Sequence, residues 1–322
     1  MKKNNFFSMK SIVKKIVFID GITRAGKLLS GALVSSLKDM ESIEFGENFE
    51  HFLPALKLKK CSYDFARSYL SNYINQLMYN KMISRNVNFR PTDRTGINNY
   101  FNPKIYKNRL KMNDGDIVLK RLKKLKPILP FVTHDLMTNY EIFSKLNINV
   151  KTIEIFRNPI DLVYSWCKKG LGNRWGKDPR MFTLLVEKNK KPYPWYLYDF
   201  PKKWTKLNTC EKCIYLVNLL TTKSIKELNK IKNKKKFHIT TYEKIITDTQ
   251  NEMIKISNFL NTKFSNKTLN IIKKEKCPKK INIKNYQKKL EFVKKNTNKF
   301  FFNHLMLLAK KYNKNTYGLI VK

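Results

Sequence analysis

The chain has 322 residues, 42% of them hydrophobic, with 21 Phe, 16 Tyr and 4 Trp. That supply of core-forming side chains excludes a disordered or low-complexity chain, and no apolar run nears the roughly 18 residues of a membrane span. The formal net charge is +42, yet only 10 of the 66 basic residues are Arg, the residue that reads phosphates and bases in a fixed geometry. A lysine-clad surface is the plain reading of this charge. It favours anionic ligands in general and leaves nucleic acid a secondary candidate partner. The basic residues 1–15 precede an apolar run, 16–19, too short for a secretory signal, so the expected location is the cytoplasm.

Taken in order, Lys15–Asp20 (KIVFID) reads as a strand and 21–26 as a turn. Residues 27–37 follow as a helix, with Leu28, Leu29, Ala32, Leu33 and Ser36 at helical spacing. Residues 42–45 suggest a second short strand, and 56–86 an aromatic-rich helix. Residues 88–111, with Pro91, Gly96 and Pro103, read as irregular. A strand at 127–133 is weakened by Pro130. Residues 138–146 read as a helix and Val150–Phe156 as the best central strand after the first. Pro159–Lys168 is a helix with proline in its first turn. Residues 170–203 are broken by Gly and Pro and rich in Trp and Tyr. A long helix at 207–231, a strand at Phe237–Thr241, a helix at 247–260 and a lysine-rich helical tail from 262 complete the chain. Strands alternating with helices predict an α/β fold, a three-layer sandwich with a central, mostly parallel sheet and helical additions. The expected organisation is one domain over 1–322. Within it lie a helical and irregular insertion at 51–125, an aromatic-rich acceptor-side loop at 170–204 and the tail at 262–322.

Five Cys and four His offer little metal chemistry. Cys210 and Cys213 form a C-x-x-C inside a predicted helix with no second pair, which reads as two ordinary cysteines on one helix face. No metal site is expected. The odd count argues against a disulfide framework.

Gly21-Ile-Thr-Arg-Ala-Gly26-Lys27 fits G-x-x-x-x-G-K between a strand and a helix. In that context backbone N–H groups wrap an anion at a helix N-terminus. A glycine turn with no ligand is the plainer alternative. Leu28 stands where a Mg²⁺-binding loop needs Ser or Thr, and Glu154-Ile155-Phe156-Arg157 lacks the Asp of a second metal-binding segment. The loop is therefore suited to phosphate without Mg²⁺. Arg157 ends the central strand, and Ser165 lies about two helical turns beyond it. Both can face the crevice at the carboxyl ends of the strands, where an Arg fork and a hydroxyl suit a phosphate. The alternative is that Arg157 pairs with Asp161 to fix the turn.

Strand-Arg157-Asn158-Pro159-x-Asp161-x-x-x-Ser165 resembles the 3′-phosphate segment of the sulfotransferases that use 3′-phosphoadenosine-5′-phosphosulfate (PAPS), a family with a P-loop fold. The 21–27 loop is similar to their 5′-phosphosulfate loop, written G-x-x-R-S-G-T-T. Thr241-Tyr242-Glu243-Lys244-Ile245, then Asp248 and Phe259-Leu260-Asn261, resembles their Y-E-D-L…D-P…F-L-G stretch. The resemblance implies PAPS as donor, bound by Thr23, Arg24, Ala25, Gly26, Lys27, Leu28, Arg157, Ser165 and Tyr242. It places Arg24 on the sulfonate and bridging oxygen and Lys27 on the 5′-phosphate, with Ser30 as a further contact. Lys27 and Leu28 replace the family's two Thr, and Lys244 the Asp of Y-E-D.

Metal-independent, in-line sulfuryl transfer to a hydroxyl or amine acceptor also needs a base, and two residues compete. Thr133-His134 resembles a K-T-H motif, with Val132 in place of its Lys. Glu47 resembles the carboxylate that follows the second strand in the G-x-x-R-S-G-T-T branch. A neutral His, with an ordinary pKa of ~6.5, needs less tuning than a carboxylate, which puts His134 ahead of Glu47. His51, His238 and His304 have no comparable context. A P-loop kinase and a non-catalytic polyanion binder are the alternative functions. The aromatics of 170–204 suit either an acceptor wall or a plain packed loop.

Overall fold

Every residue of the first strand after Lys15 is buried, and alternate side chains enter different cores. Ile16 and Phe18 of β1 (Lys15–Asp20) pack with Phe49, Leu53, Leu70, Met78 and Leu122 on one face. Val17 and Ile19 pack with Leu33, Val34, Met253 and Ile256 on the other. A strand covered on both faces reads as a continuous apolar run, and its sheet becomes the middle of three layers. The computed structural model describes residues 5–197 and 204–314. Its main sheet has five strands in the order β2-β3-β1-β4-β7, all paired in parallel: β2 (Glu44–Phe45), β3 (Ile128–Val132), β4 (Val150–Phe156) and β7 (Phe237–Thr241) join β1.

Pro130 is tolerated in β3 because of where its missing N–H falls. The Ile128 N–H donates to Asp39 O and the Glu41 N–H to Ile128 O, so even-numbered residues of β3 face the 39–41 side. Strand β2 pairs only with Phe131 and Val132. Pro130 thus lies in a gap between pairings and removes no rung.

The helices follow the predicted order with several shifts. Helix α1 (Lys27–Ser35) starts directly after Gly26. Helix α2 (Glu47–Lys57) begins well before the expected position 56 and runs through residue 51, where the sequence suggested an insertion boundary. Pro54 disguises it in the sequence. The proline costs one bond to the Glu50 carbonyl, while Phe49, Leu53 and Leu56 bury the helix on the sheet. Helix α3 (Tyr63–Met82) is separate and starts at Ser62, whose hydroxyl accepts from the Phe65 N–H at 3.3 Å. Helix α4 (Pro103–Arg109) falls inside the stretch expected to be irregular, and α5 (Asp116–Leu125) and the short α6 (Tyr140–Ser144) follow.

Helix α7 (Pro159–Lys168) has the predicted bounds, with Asn158 accepting from the Ile160 N–H at 2.9 Å as its cap. A small antiparallel hairpin, β5 (Leu185–Lys188) and β6 (Lys191–Pro194), lies within the aromatic stretch. Of the aromatics named there, Tyr198 and Phe200 lie outside the described residues. Helix α8 (Thr209–Lys230) opens with a capping box between Asn208 and Glu211. Helices α9 (Tyr242–Thr247), α10 (Thr249–Leu260), α11 (Thr268–Lys274), α12 (Ile283–Lys295) and α13 (Lys299–Lys314) complete the chain. The last two pack on α7 and α8. They also fasten the segment after β4: Lys289 bonds Asp161, and the Tyr312 hydroxyl donates to Glu243 at 2.8 Å. Among the described residues no helix is long and apolar enough to cross a membrane.

Candidate functional site

All five parallel strands deliver a segment of the candidate site to the same end of the sheet, the carboxyl end, where open α/β sheets bind ligands. β1 leads into the glycine loop, β2 into Glu47, β3 into His134 and Asp135, β4 into Arg157, and β7 into Tyr242.

The glycine loop is fixed through its carbonyls. Gly21 O accepts from the Lys27 ammonium, and Ile22 O accepts from Lys27 Nζ at 2.9 Å and the Ala25 N–H at 3.1 Å. Thr23 O accepts from the Trp166 indole N–H at 2.8 Å, and Arg24 O from Arg157 Nη1 at 2.7 Å. Gly21 and Gly26 have φ of 141° and 100°, and Arg24 a left-handed φ of 72°. A Cβ on Gly21 would strike the Ile155 carbonyl, and one on Gly26 the Tyr242 ring. Both positions thus require glycine for conformation and for space. The first-turn N–H groups of α1, which starts at Lys27, have no acceptor within the helix.

Three loop-facing residues form one linked group. Arg24 Nε donates to Ser165 Oγ at 2.9 Å. Arg157 stacks its guanidinium 4.3 Å from the Tyr242 ring centre, and its Nε is buried without a hydrogen-bond partner. The expected alternative pairing of Arg157 with Asp161 is absent, because Asp161 bonds Lys289. Lys27, expected at the 5′-phosphate, is instead buried and spent on the loop's own carbonyls. Burial holds its ammonium below the ordinary lysine range, against the pull of Asp135, Asp20, Glu50 and Glu154. Ser30 is likewise buried, with its hydroxyl on Gly26 O at 3.2 Å.

A cavity of about 590 Å³ adjoins the loop. Thr23, Arg24, Glu47 and His134 line it, so both candidate bases and the loop arginine share one chamber. Its other wall comes from Trp166 on α7 and from the aromatic stretch, with Trp175, Phe182, Trp195 and Tyr196. Lys169, Arg174 and Arg180 add cations, the two arginines held by Asp178 at 2.5–2.9 Å.

Three further residues of the chamber, Glu50, His51 and Asp135, and the buried Asp20 outside its lining were not singled out in the sequence for a role. Glu50, one turn after Glu47 on α2, accepts from the His134 backbone N–H at 2.7 Å and faces His134 Nδ1 at 3.1 Å. Burial alone would raise the Glu50 carboxyl, but the His134 charge and bonds outweigh it and hold it below its ordinary value. His51 Nε2 lies 2.9 Å from Phe182 O, bridging α2 to the aromatic wall. Asp135 has φ 59° and a buried carboxylate oxygen with no partner, and burial pushes its carboxyl up to about 7. Asp20 anchors the turn that carries both residues. It accepts from Thr133 Oγ1 at 2.9 Å and the Met137 N–H at 2.8 Å. Glu47 is pushed upward by partial burial. The signal for Glu50 and His51 was the spacing 47, 50, 51 on one helix face, hidden by the late helix start; Asp135 left no signal. Among the described residues no group of three or more His, Cys, Asp or Glu is arranged to hold a metal.

Asp135 yields a pH prediction with a definite sign. A carboxyl raised in the folded state stabilises fully below the ordinary carboxylate range, and that contribution is lost as pH rises through about 7. The stability of Asp135→Asn relative to the parent should therefore increase between about pH 5 and about pH 8 in urea unfolding series. A difference that stays constant across this range would contradict the buried setting of Asp135.

The solved structures similar to this chain include the sulfotransferase domain from the curacin biosynthetic pathway, at 14% identity and TM-score 0.45, covering 96% of this chain and 93% of that one. The sulfotransferase domain from the Synechococcus PCC 7002 olefin synthase aligns at 13% identity and TM-score 0.42, covering 99% and 94%. Sulfotransferase STF9 from Mycobacterium avium aligns at 10% and 0.41, covering 90% and 78%. No curated protein matches the sequence. The family model described as the sulfotransferase domain matches residues 15–307, and the chain belongs to that family.

Proposed function

We propose that the protein transfers a sulfuryl group from PAPS to a hydroxyl or amine acceptor held in the 590 Å³ cavity. The observation that carries this reading is the pinned glycine loop joined to Arg157 and Ser165. Four consecutive carbonyls are occupied by donors, so the backbone groups left for a ligand at the start of α1 are N–H groups, which suit a 5′-phosphate. Arg157, with an unpaired Nε, and Ser165, whose O–H can donate while its oxygen accepts from Arg24, suit a second, 3′-phosphate. When bound, PAPS supplies the sulfuryl group and an adenosine bisphosphate leaving group.

The chain's own residues then divide the work. Arg24 faces the cavity and supplies positive charge where the bridging oxygen would gain negative charge. Glu50 holds His134 through its backbone N–H and Nδ1, leaving Nε2 as the ring nitrogen that takes the acceptor proton. Glu47 shares the chamber as the competing base. Lys27 acts through the loop: by bonding two carbonyls it keeps the backbone open to an anion. Thr23, Ala25, Gly26 and Leu28 contribute backbone, and Tyr242 braces Gly26 and Arg157. The aromatic wall forms the acceptor side and limits water. Leu28, in place of a Mg²⁺-ligating hydroxyl, argues against the kinase alternative.

Calorimetric titration tests the donor site. Adenosine 3′,5′-bisphosphate should bind equally well with and without Mg²⁺, and Arg157→Ala should weaken it by about tenfold or more, roughly 1.4 kcal/mol. Mg²⁺-dependent ATP binding with no preference for the bisphosphate would sink the proposal in favour of a kinase. With any acceptor that turns over, His134→Ala should lower kcat by about 10²–10⁴-fold while bisphosphate affinity holds. If Glu47→Gln has the larger effect, the base is Glu47.

A further inference from the structure

The turn after α7 is fixed from two sides. A Cβ on Gly172 would strike the Thr209 carbonyl at the start of α8, and one on Gly176, at φ 73°, would strike the Pro192 ring of the hairpin. Asn173 Nδ2 donates to Thr209 Oγ1 at 2.5 Å, and Lys212 Nζ donates to Asn173 Oδ1 at 2.7 Å. Arg174 and Trp175, which line the cavity, lie between these anchors. The Arg174 guanidinium is oriented by Asp178, which accepts from Nε at 2.9 Å and from Nη2 at 2.5 Å. Close packing of this kind sets the direction of both side chains before any ligand arrives.

The groups this turn leaves unsatisfied are donors. Lys169, the residue after α7, is exposed, lines the cavity and has no carboxylate within ion-pair distance among the described residues. Asp178 is shared by Arg174 and Arg180. Lys169, Arg174 and Arg180 thus bring three positive charges to the cavity against the one negative charge of Asp178, an excess of two. The Trp175 indole N–H is also buried without an acceptor. The carboxylates of the chamber lie elsewhere, Glu47 and Glu50 on α2 and Asp135 after β3, beside His134. The cavity is therefore divided by charge, with aromatic rings making up much of the remaining lining.

We propose that the acceptor is a hydroxyaryl carboxylate, with its carboxylate held by Lys169 and Arg174 and its hydroxyl turned to His134. This deepens the reading of the cavity as the acceptor site and rests on it. A flat ring fits among Trp175, Trp195 and Tyr196, where offset or edge-on stacking is favourable. The volume of about 590 Å³ lies within the range of small-molecule sites. Charge sets the direction of binding. Lys169 and Arg174 attract the carboxylate while Glu47 repels it, so the hydroxyl end is the one that reaches the base. A cationic acceptor meets the opposite field at both ends. In the transfer, the hydroxyl proton goes to His134 Nε2 as the acceptor oxygen bonds sulfur. The bond from sulfur to the phosphate oxygen breaks, and its electron pair leaves with the adenosine bisphosphate.

Calorimetric titration of the full chain, without nucleotide, tests the anion subsite. The probes are 4-hydroxybenzoate, 4-hydroxyphenylacetate and 3-(4-hydroxyphenyl)propionate, which step the carboxylate away from the hydroxyl, and the uncharged amide of each. At least one acid should bind about tenfold or more tightly than its amide. Lys169→Gln and Arg174→Gln should each bring that acid towards the affinity of its amide and leave the amide unchanged. Lys120→Gln, an exposed site on α5 outside the cavity lining, should keep the full preference. Lys169→Gln carries the test where Arg174→Gln disturbs the turn. With PAPS added, the preferred acid should form its sulfate ester at a lower KM than its amide. An acid preference lost in Lys169→Gln but with no sulfate ester formed removes the donor reading and leaves the anion subsite standing. Equal affinity within all three pairs, no binding of any acid, or a preference that survives both variants and so belongs to the overall +42 charge would overturn the proposal.

Discussion

The site depends on how four consecutive carbonyls, Gly21 to Arg24, are held. A free peptide loop presents carbonyl oxygens as readily as N–H groups, and an anion is repelled by the former. Here Lys27, Trp166 and Arg157 occupy those oxygens. The cost is a left-handed Arg24, of the order of 1–2 kcal/mol for a residue with a Cβ. The conformation persists because Arg24 is fixed at both ends, its carbonyl to Arg157 and its side chain to Ser165. The glycine loop after β1 and the Arg157 segment after β4 are thereby one mechanical unit.

That unit is supported from the far end of the chain. Asn158, which caps α7, donates its N–H to Glu243 at 3.0 Å, and Glu243 accepts from Tyr312 on α13. Asp161 is held by Lys289 on α12. The lysine-rich tail thus has a structural task at the Arg157 segment, and part of the +42 charge is committed to specific partners. Inside the cavity the balance differs from the surface. Glu47, Glu50 and Asp135 stand with Arg24 on the loop side, and Lys169, Arg174 and Arg180 lie with the aromatic wall.

The sequence made legible the elements whose burial leaves an unbroken apolar run or a clear cap. β1, β4, α7 and β7 have the bounds that pattern predicted. Helix α2 was obscured because Pro54 looks like a breaker, and tertiary burial overrides it. The candidate site was legible where motif and element coincide, at the glycine loop and at Arg157–Ser165. It was illegible where two distant segments meet. Glu50 matters only because α2 packs against the turn after β3. Lys27 misled for a different reason: the motif specifies an ammonium near the loop and does not say which side of the backbone it serves.

A crystal structure of the complex with adenosine 3′,5′-bisphosphate tests the central claim most directly. The account predicts the 5′-phosphate on the N–H groups that open α1, the 3′-phosphate between Arg157 and the Ser165 hydroxyl, and Lys27 still bonded to Gly21 O and Ile22 O. A nucleotide bound away from the loop, or Lys27 withdrawn from those carbonyls to contact phosphate, would contradict it.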